Sequence, residues 1–245
     1  MDFTSNQKRH MNLLNFIVLL QEQAVQLEEA TTIERESLFQ LIVKSGWIGI
    51  VIVLILIAMF VVAVYLFVER YSAIKRAGRI DDNFMNNIRA SVQAGNIMGA
   101  KALCQNNNSP AAHMIEKGLM RIGKPLTDVN ASIENVGNLE LFRLEKNLST
   151  LASIAGAGPM IGFFGTVTGM ILAFYQMATA ENITPDVLAS GIYQALITTA
   201  FGLFVGIFAF IAYNLLVSNV EKVVYKMERT AVEFMDLLQE PVNTP

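Results

Sequence analysis

Three long stretches without a charged side chain constrain this chain more than any other feature. They run over 46–68, 147–180 and 187–220 and contain 23, 34 and 34 residues. A helix needs about 20 apolar residues to cross the hydrocarbon core of a bilayer, so each stretch is long enough. Because backbone groups inside lipid must bond to one another, each stretch is expected to be helical. The sequence therefore predicts an all-α membrane protein with three transmembrane helices.

Charge and composition exclude several other classes of protein. Only 16% of the 245 residues are charged, against roughly 25% in soluble domains. The net charge of −3 gives no reason to expect nucleic-acid binding. The single cysteine, Cys104, excludes an internal disulfide, and His10 and His113 are isolated, so no metal site or cofactor is predicted. The sequence has no nucleophile motif, acid pair or phosphate loop, so an enzyme is not predicted.

The distribution of Lys and Arg predicts the orientation in the membrane. Residues 69–150 hold eleven Lys and Arg, whereas the link 181–186 holds two acids and neither basic residue. Basic residues near the ends of spans stay in the cytoplasm. We therefore expect an N-terminus outside the cytoplasm and a C-terminus inside it. The chain then divides into a periplasmic segment 1–45, spans 46–68, 147–180 and 187–217, a cytoplasmic helical domain 69–146, a periplasmic loop 181–186 and a cytoplasmic tail 218–245.

The segments outside the membrane also show helical patterns. Ser109 followed by Pro110 predicts the start of a helix over 110–122, and Thr127 or Asp128 is expected to cap the next one. An apolar stripe then continues directly into the second span. A helix over 187–238 would be about 78 Å long, against a core of about 30 Å. The second and third helices are therefore expected to extend into a cytoplasmic helical bundle.

Residues 1–45 allow two interpretations. Apolar side chains recur on one helical face, which predicts an amphipathic helix on the outer leaflet; they are Leu13, Ile17, Leu20, Ala24 and Leu27. A cleaved signal peptide is the alternative, because Lys8 and Arg9 precede an apolar stretch. That stretch is short, is interrupted by Asn15 and has no A-x-A site after it, which favours the surface helix.

Small residues line one face of the second and third spans. Glycines and small neighbours recur there at steps of three and four, which allows close helix packing in lipid. The candidate packing residues are Gly158, Pro159, Gly162, Gly165 and Gly169 in the second span, and Gly191, Gly202 and Gly206 in the third.

Polar side chains at membrane depth are the candidate functional groups. Thr166 and Thr168 lie in the second span, and Gln194, Thr198 and Thr199 lie in the third. A threonine can bond back to its own helix, but a buried glutamine needs a neighbour, water or a cavity. Neither stretch has an ionisable side chain, so a partner would have to supply the carboxylate of any proton pathway.

Two segments carry a resemblance to a known family. AGPMIGFFGTVTGMI (157–171) and GIYQALITTAFGL (191–203) closely resemble the second-span and third-span signatures of the MotA/TolQ/ExbB proton-channel family. They stand in the same order and at the same separation. The three-span layout resembles the ExbB and TolQ branch, since MotA-type stators have four spans. The likeness covers about 46–240.

The resemblance implies a function and a set of partners. ExbB-like proteins form homopentamers in the bacterial inner membrane around an ExbD-like single-span partner, whose intramembrane aspartate carries protons, and they energise a TonB-like protein. The family's pore threonines match Thr166 and Thr199, and its glutamate position is Gln194, which cannot titrate. A TolQ-like role in envelope maintenance is one alternative. A passive scaffold or transporter component without proton conduction is another.

Overall fold

Seven α-helices make up the part of the chain that the structure describes, which is residues 46–79, 83–179 and 185–240 of a computed structural model. No β-strand occurs within these ranges. The helices are α1 (Gly46–Ala77), α2 (Phe84–Gln93), α3 (Ile97–Asn106), α4 (Pro110–Leu119), α5 (Leu126–Glu145), α6 (Leu148–Thr179) and α7 (Pro185–Gln239). The predicted surface helix within 1–45 lies outside the described residues, as does most of the predicted loop 181–186.

Three of these helices, α1, α6 and α7, carry segments long and apolar enough to cross a membrane. This confirms the predicted all-α membrane protein. The second predicted span, 147–180, agrees with α6 to within one residue at each end. The third lies inside the much longer α7.

The relative directions of the three helices follow from their contacts. α6 and α7 are antiparallel, because Gly158 lies beside Gly206 while Gly169 lies beside Ala195. α1 and α7 are parallel: the Phe60 ring is 5.5 Å from the Phe204 ring, and further along both helices Lys226 donates a hydrogen bond to the Gly78 carbonyl oxygen. Helices α1 and α7 therefore leave the apolar region at the same end.

A helical bundle forms at that end, as predicted. Helices α2, α4 and α5 pack against the distal half of α7, and the centre of the bundle is fully buried and apolar at Ile88, Ile115, Ile133 and Phe234. Burying a side chain of this size contributes about 1.5–3 kcal/mol. The bundle therefore fixes the far half of α7, and its core is continuous with buried residues of the spanning helices such as Ile74 and Leu151.

Two helix starts in the bundle test the predicted caps. The Ser109 hydroxyl accepts a hydrogen bond from the Ala112 amide at 3.3 Å, which confirms the start of α4, although that helix ends at Leu119 rather than at 122. The predicted cap of the next helix at Thr127 or Asp128 is wrong. Pro125 stands at that position without a side-chain cap. Its fixed φ suits entry into a helix, so α5 begins earlier.

A two-residue turn at Lys146 and Asn147 separates α5 from α6. The sequence predicts a helical stripe that runs straight into the second span, so the expectation of a continuous helix is wrong here. Asn147 has a φ of 64°, in the left-handed region. Asparagine tolerates this region better than most residues with a side chain. By contrast, α7 continues without interruption for 55 residues, about 82 Å.

Candidate functional site in the paired membrane helices

Helices α6 and α7 touch through their backbones. A Cβ atom on Gly162 would lie 2.9 Å from both the Gly202 Cα and the Thr198 carbonyl oxygen, and one on Gly202 would lie 2.7 Å from the Gly158 carbonyl oxygen. Real Cβ atoms do not approach other heavy atoms that closely. Only glycine fits at these two positions, and this close approach brings the polar groups of the two helices within reach of one another.

The other predicted packing residues lie along the same contact. Gly165 faces the Thr198 side chain, Gly169 faces Ala195, and Gly191 faces Ala173 at the end of the contact nearest the α6–α7 link. At the opposite end the Pro159 ring packs on Gly206. Proline lacks an amide hydrogen, so the Ala155 carbonyl loses its usual partner within α6. The Gly206 side of α7 covers that carbonyl.

Thr166 and Thr199 meet across this contact with their hydroxyl oxygens in direct hydrogen-bonding contact. The Thr166 hydroxyl also lies 3.0 Å from the Ala195 carbonyl oxygen, on the facing helix. The Thr199 hydroxyl lies 3.1 Å from the Gly162 carbonyl oxygen, again across the contact. A hydroxyl has one proton and two lone pairs, so the two protons serve only two of these three contacts at a time. A threonine that donates to a carboxylate must therefore turn its proton away from its present acceptor.

The neighbouring threonines behave differently. The Thr168 hydroxyl bonds back to the Phe164 and Gly165 carbonyl oxygens of its own helix, at 2.9 and 3.1 Å. Thr198 is only 2% exposed. Its hydroxyl donates to the Ala195 carbonyl oxygen of its own helix at 2.8 Å and lies 3.5 Å from the Gly162 carbonyl oxygen of the facing helix. Among the described residues, neither of these two threonines is both accessible and in contact with a hydroxyl of the facing helix. Thr166 and Thr199 are therefore distinct among the described intramembrane threonines.

Gln194 lies on the same helix as Thr199, but regular helix geometry places the two residues on different sides of α7. The two residues are five positions apart, which turns an α-helix by about 140°. Gln194 is half-buried. Thr166 and Thr199 form one site, and Gln194 occupies another side of the same helix.

The threonine pair lies at the edge of the α6–α7 contact rather than in its interior. Both residues are half-buried. Beyond them are the apolar side chains of Phe163, Leu196 and Leu203, which are 64%, 59% and 46% exposed in the single chain. No group of three or more His, Cys, Asp or Glu side chains that could hold a metal lies within the described ranges. The site therefore offers neutral hydroxyls beside an uncovered apolar surface.

Sequence reasoning missed the carbonyl partners of this site. The Gly162 and Ala195 carbonyl oxygens accept hydrogen bonds from the facing helix. The spacing of small residues predicts that the two helices approach closely. It does not determine which carbonyls the approach exposes, because that depends on the relative translation of the helices.

Comparison with known families decides where this chain belongs. Residues 106–229, which are 124 of its 245 residues, match the MotA/TolQ/ExbB proton channel family. The chain belongs to this family. The matched segment contains all of α6 and the membrane part of α7, and so both members of the threonine pair. The resemblance noted from the sequence is confirmed, and this is a family of proton channels rather than of enzymes.

Individual members of the MotA/TolQ/ExbB family resemble the chain to different extents. It is 27% identical over 227 residues to the Tol-Pal system protein TolQ of Pseudomonas aeruginosa, which covers 88% of this chain and 98% of that protein. It is 37% identical over 131 residues to TolQ of Haemophilus influenzae, covering 54% and 53%. It is 40% identical over 74 residues to the biopolymer transport protein ExbB of Neisseria gonorrhoeae, covering 30% and 34%.

Proposed function

We propose that this chain is an ExbB-like subunit of an inner-membrane motor that the proton-motive force drives and that energises TonB-dependent transport across the outer membrane. The observation that carries the proposal is the Thr166–Thr199 pair. These two hydroxyls reach across the α6–α7 contact at a membrane depth where neither helix has an ionisable group. In the proposed motor they line the proton pathway.

An ExbD-like single-span partner would supply the titrating group, an intramembrane aspartate. A carboxylate at the bilayer centre costs about 3 kcal/mol or more, and each hydroxyl that donates a hydrogen bond to the charged carboxylate returns about 1.5–3 kcal/mol. One elementary charge that moves through 100 mV releases about 2.3 kcal/mol. Two hydroxyls therefore return about as much free energy as the carboxylate loses on entering this depth, so the membrane potential acts on a nearly balanced step. A lysine at either position would hold the carboxylate too firmly.

The uncovered apolar surface beside the threonine pair suits assembly around that partner. Phe163, Leu196 and Leu203 border the pair and are largely exposed in the single chain. In a homopentamer, the arrangement implied by the family resemblance, copies of this surface and of the threonine pair would surround one central pathway. We propose the same orientation as the charge distribution predicts, with the helical bundle in the cytoplasm. A TonB-like protein, energised by the motor, would drive uptake through outer-membrane receptors.

A TolQ-like role is the second candidate, and one observation favours it. The match to TolQ of Pseudomonas aeruginosa extends over 98% of that protein, whereas the match to ExbB of Neisseria gonorrhoeae covers 34% of its length. Deletion of the gene separates the two roles. Loss of uptake through TonB-dependent receptors supports the ExbB-like role, and defective envelope constriction at division with normal uptake supports the TolQ-like role.

Replacement of the paired hydroxyls tests the proposed proton pathway. Thr166→Val and Thr199→Val keep the shape of the side chain and remove the hydroxyl. We expect each to lower the rate of energised transport at least tenfold, while native mass spectrometry still finds the wild-type oligomer. Each variant loses a hydrogen bond to the moving carboxylate that has no substitute in an apolar pathway.

Two control variants make this test specific. Thr168→Val removes a hydroxyl that bonds only to its own helix, so transport should stay within about twofold of wild type. Thr166→Ser retains a hydroxyl and should also keep most of the transport rate. If Thr166→Val and Thr199→Val both transport at the wild-type rate, the pair has no part in proton movement and the proposal fails.

A further inference from the structure

A basic groove lies between α1 and α7 just beyond the apolar region. It has a volume of about 280 Å³ and is lined by Tyr71 and Lys75 of α1 and by Asn219, Lys222, Val223 and Lys226 of α7. Ligand sites for drug-sized molecules are typically about 300–1,000 Å³. The groove is therefore large enough for a small polar group and too small for a whole lipid or a folded partner.

The three lysines of the groove are available for an anion to differing extents. Lys75 lies 5.8 Å from the centre of the Tyr71 ring, and Lys226 donates one hydrogen bond to the Gly78 carbonyl oxygen at 3.0 Å. An ammonium group has three donors, so Lys226 retains two. The ion pairs between described residues involve none of the three lysines. The groove thus concentrates three positive charges without a carboxylate partner among the described side chains.

The position of the groove along the two helices fits the edge of a bilayer. The uncharged stretch of α1 ends at Val68, and Tyr71 and Lys75 follow it by three and seven residues. At 1.5 Å per residue they lie about 5 and 10 Å beyond the hydrocarbon boundary. Polar headgroups occupy a layer of about 5–8 Å on each side of the core, so Tyr71 lies within this layer and the long side chain of Lys75 can reach back to its outer edge. Tyrosine and lysine are also the residues that anchor helices in this layer.

Apolar side chains continue from the groove toward the hydrocarbon region. Val68 lies seven residues before Lys75, and Leu215 lies seven residues before Lys222, so each is two turns above its lysine on nearly the same helix face. Val68 is 57% exposed and Leu215 is 51% exposed. A ligand with a charged end in the groove would therefore meet an apolar surface directly above it, as an acyl chain requires.

We propose that this groove binds the phosphate-bearing head group of an anionic phospholipid, with the acyl chains along the exposed apolar surface of α1 and α7 above it. The site is separate from the Thr166–Thr199 pair and does not depend on proton conduction. A bound lipid of this kind joins the first and last membrane helices at the point where both enter the bundle. Its phosphate supplies a negative charge that balances the positive charges of the three lysines.

Titration of the purified full-length protein in detergent with phosphatidylglycerol, followed by native mass spectrometry, tests the proposal. The test variant is the double substitution Lys75→Gln and Lys222→Gln, which leaves the Lys226 bond to Gly78 in place. Each lysine near an anionic lipid contributes about fivefold to binding, so we expect roughly 30-fold weaker binding of the first phosphatidylglycerol. Phosphatidylcholine with the same acyl chains should bind the wild-type protein at least tenfold more weakly than phosphatidylglycerol.

Matched controls separate the groove from charge in general. Lys117→Gln with Lys124→Gln removes the same charge from exposed sites in the bundle and should change binding by less than about twofold. Lys75→Arg with Lys222→Arg should restore binding, which a folding defect would not allow. Wild-type affinity in the Lys75→Gln, Lys222→Gln variant, equal loss in the control pair, or equal binding of phosphatidylcholine would overturn the proposal. Displacement of the lipid by an equal concentration of inorganic phosphate would instead assign the groove to a soluble anion and also overturn it.

Discussion

At the residue scale, Gln194 is a neutral amide at the position where the sequence resemblance implies a glutamate. Gln194→Ala removes an amide that can hydrogen-bond a polar partner, and one such bond is worth about 1 kcal/mol. We expect about fivefold slower energised transport in Gln194→Ala and nearly normal transport in Gln194→Glu. Gln176→Ala, at an exposed glutamine of α6, is the control. Normal transport in Gln194→Ala would show that the amide has no role.

Cys104 is a buried thiol with a predictable lack of reactivity. It is 1% exposed, and burial, with a smaller contribution from the charge of Glu116, raises its pKa from 9.0 to about 12. The thiolate is the reactive species, and at pH 7 a shift of this size lowers its fraction roughly a thousandfold. Maleimide should therefore not label the native protein at pH 7, but should label it completely after denaturation.

A cysteine on the exposed side of the same helix provides the control for this labelling. Ala102 is exposed on α3, so Ala102→Cys should be labelled within minutes under native conditions while Cys104 is not. Rapid incorporation of a label at Cys104 in the folded protein would mean that α3 opens readily from α4.

The candidate site in α6 and α7 was only partly predictable from the sequence. Residue type and spacing indicated Thr166, Thr199 and Gln194 as the polar groups at membrane depth. They could not indicate that the two threonines touch across the α6–α7 contact. The rotation and translation of α6 relative to α7 determine which side chains meet. These are set by which glycines face which backbone atoms.

At the scale of the helices, the backbone contact of α6 and α7 has little tolerance for added volume. Gly162→Ala places a methyl 2.9 Å from the Gly202 Cα and the Thr198 carbonyl oxygen, so the helices must separate. Overpacking of this kind costs about 1–3 kcal/mol. We expect a clearly lower midpoint of thermal unfolding in detergent, measured by circular dichroism, together with slower transport because the threonine pair is pulled apart.

Gly156→Ala is the matched control in the same helix. A Cβ atom there meets nothing within 4 Å, and alanine favours a helix over glycine by about 1 kcal/mol. This variant should be as stable as wild type or slightly more stable. Equal thermal midpoints for Gly156→Ala and Gly162→Ala would contradict the backbone contact of α6 and α7.

The helices themselves were predictable where local chemistry determines them. Uncharged length predicts the spans, and the Ser109–Pro110 pair predicts the start of α4. The start of α5 was missed because Thr127 and Asp128 are good capping residues, whereas Pro125 already provides the required φ. The turn at Asn147 was missed because the apolar stripe continues through it. One residue with a positive φ ends the helix without changing that pattern.

At the scale of the whole molecule, the parallel directions of α1 and α7 place the α1–α6 connection and the end of α7 on one side. The distribution of Lys and Arg predicts that this side is the cytoplasm. After replacement of Cys104 by alanine, Asn182→Cys should react with an impermeant maleimide added to cells outside the inner membrane. Asn108→Cys, at an exposed position between α3 and α4, should not react until the membrane is permeabilised.

Labelling after permeabilisation shows that each cysteine is accessible to the reagent in the folded protein. The reverse pattern in intact cells, with Asn108→Cys labelled and Asn182→Cys protected, would invert the proposed orientation. It would also place the basic groove in the opposite leaflet.

Because α7 is long and uninterrupted, a small tilt at one of its ends produces a large displacement at the other. Its hydrogen-bonded backbone runs unbroken for 55 residues, and its far end is held in the bundle by Phe234 packing on Gly118 and by an ion pair between Glu240 and Arg89 at 3.2 Å. A tilt of 5° at one end of a rod about 82 Å long displaces the other end by about 7 Å. The two-residue turn at Asn147 interrupts the helix below α6, whereas α7 has no such break within its 55 residues. A tilt of α7 in the membrane is therefore expected to move the bundle that is fixed to its far end by a distance of this order.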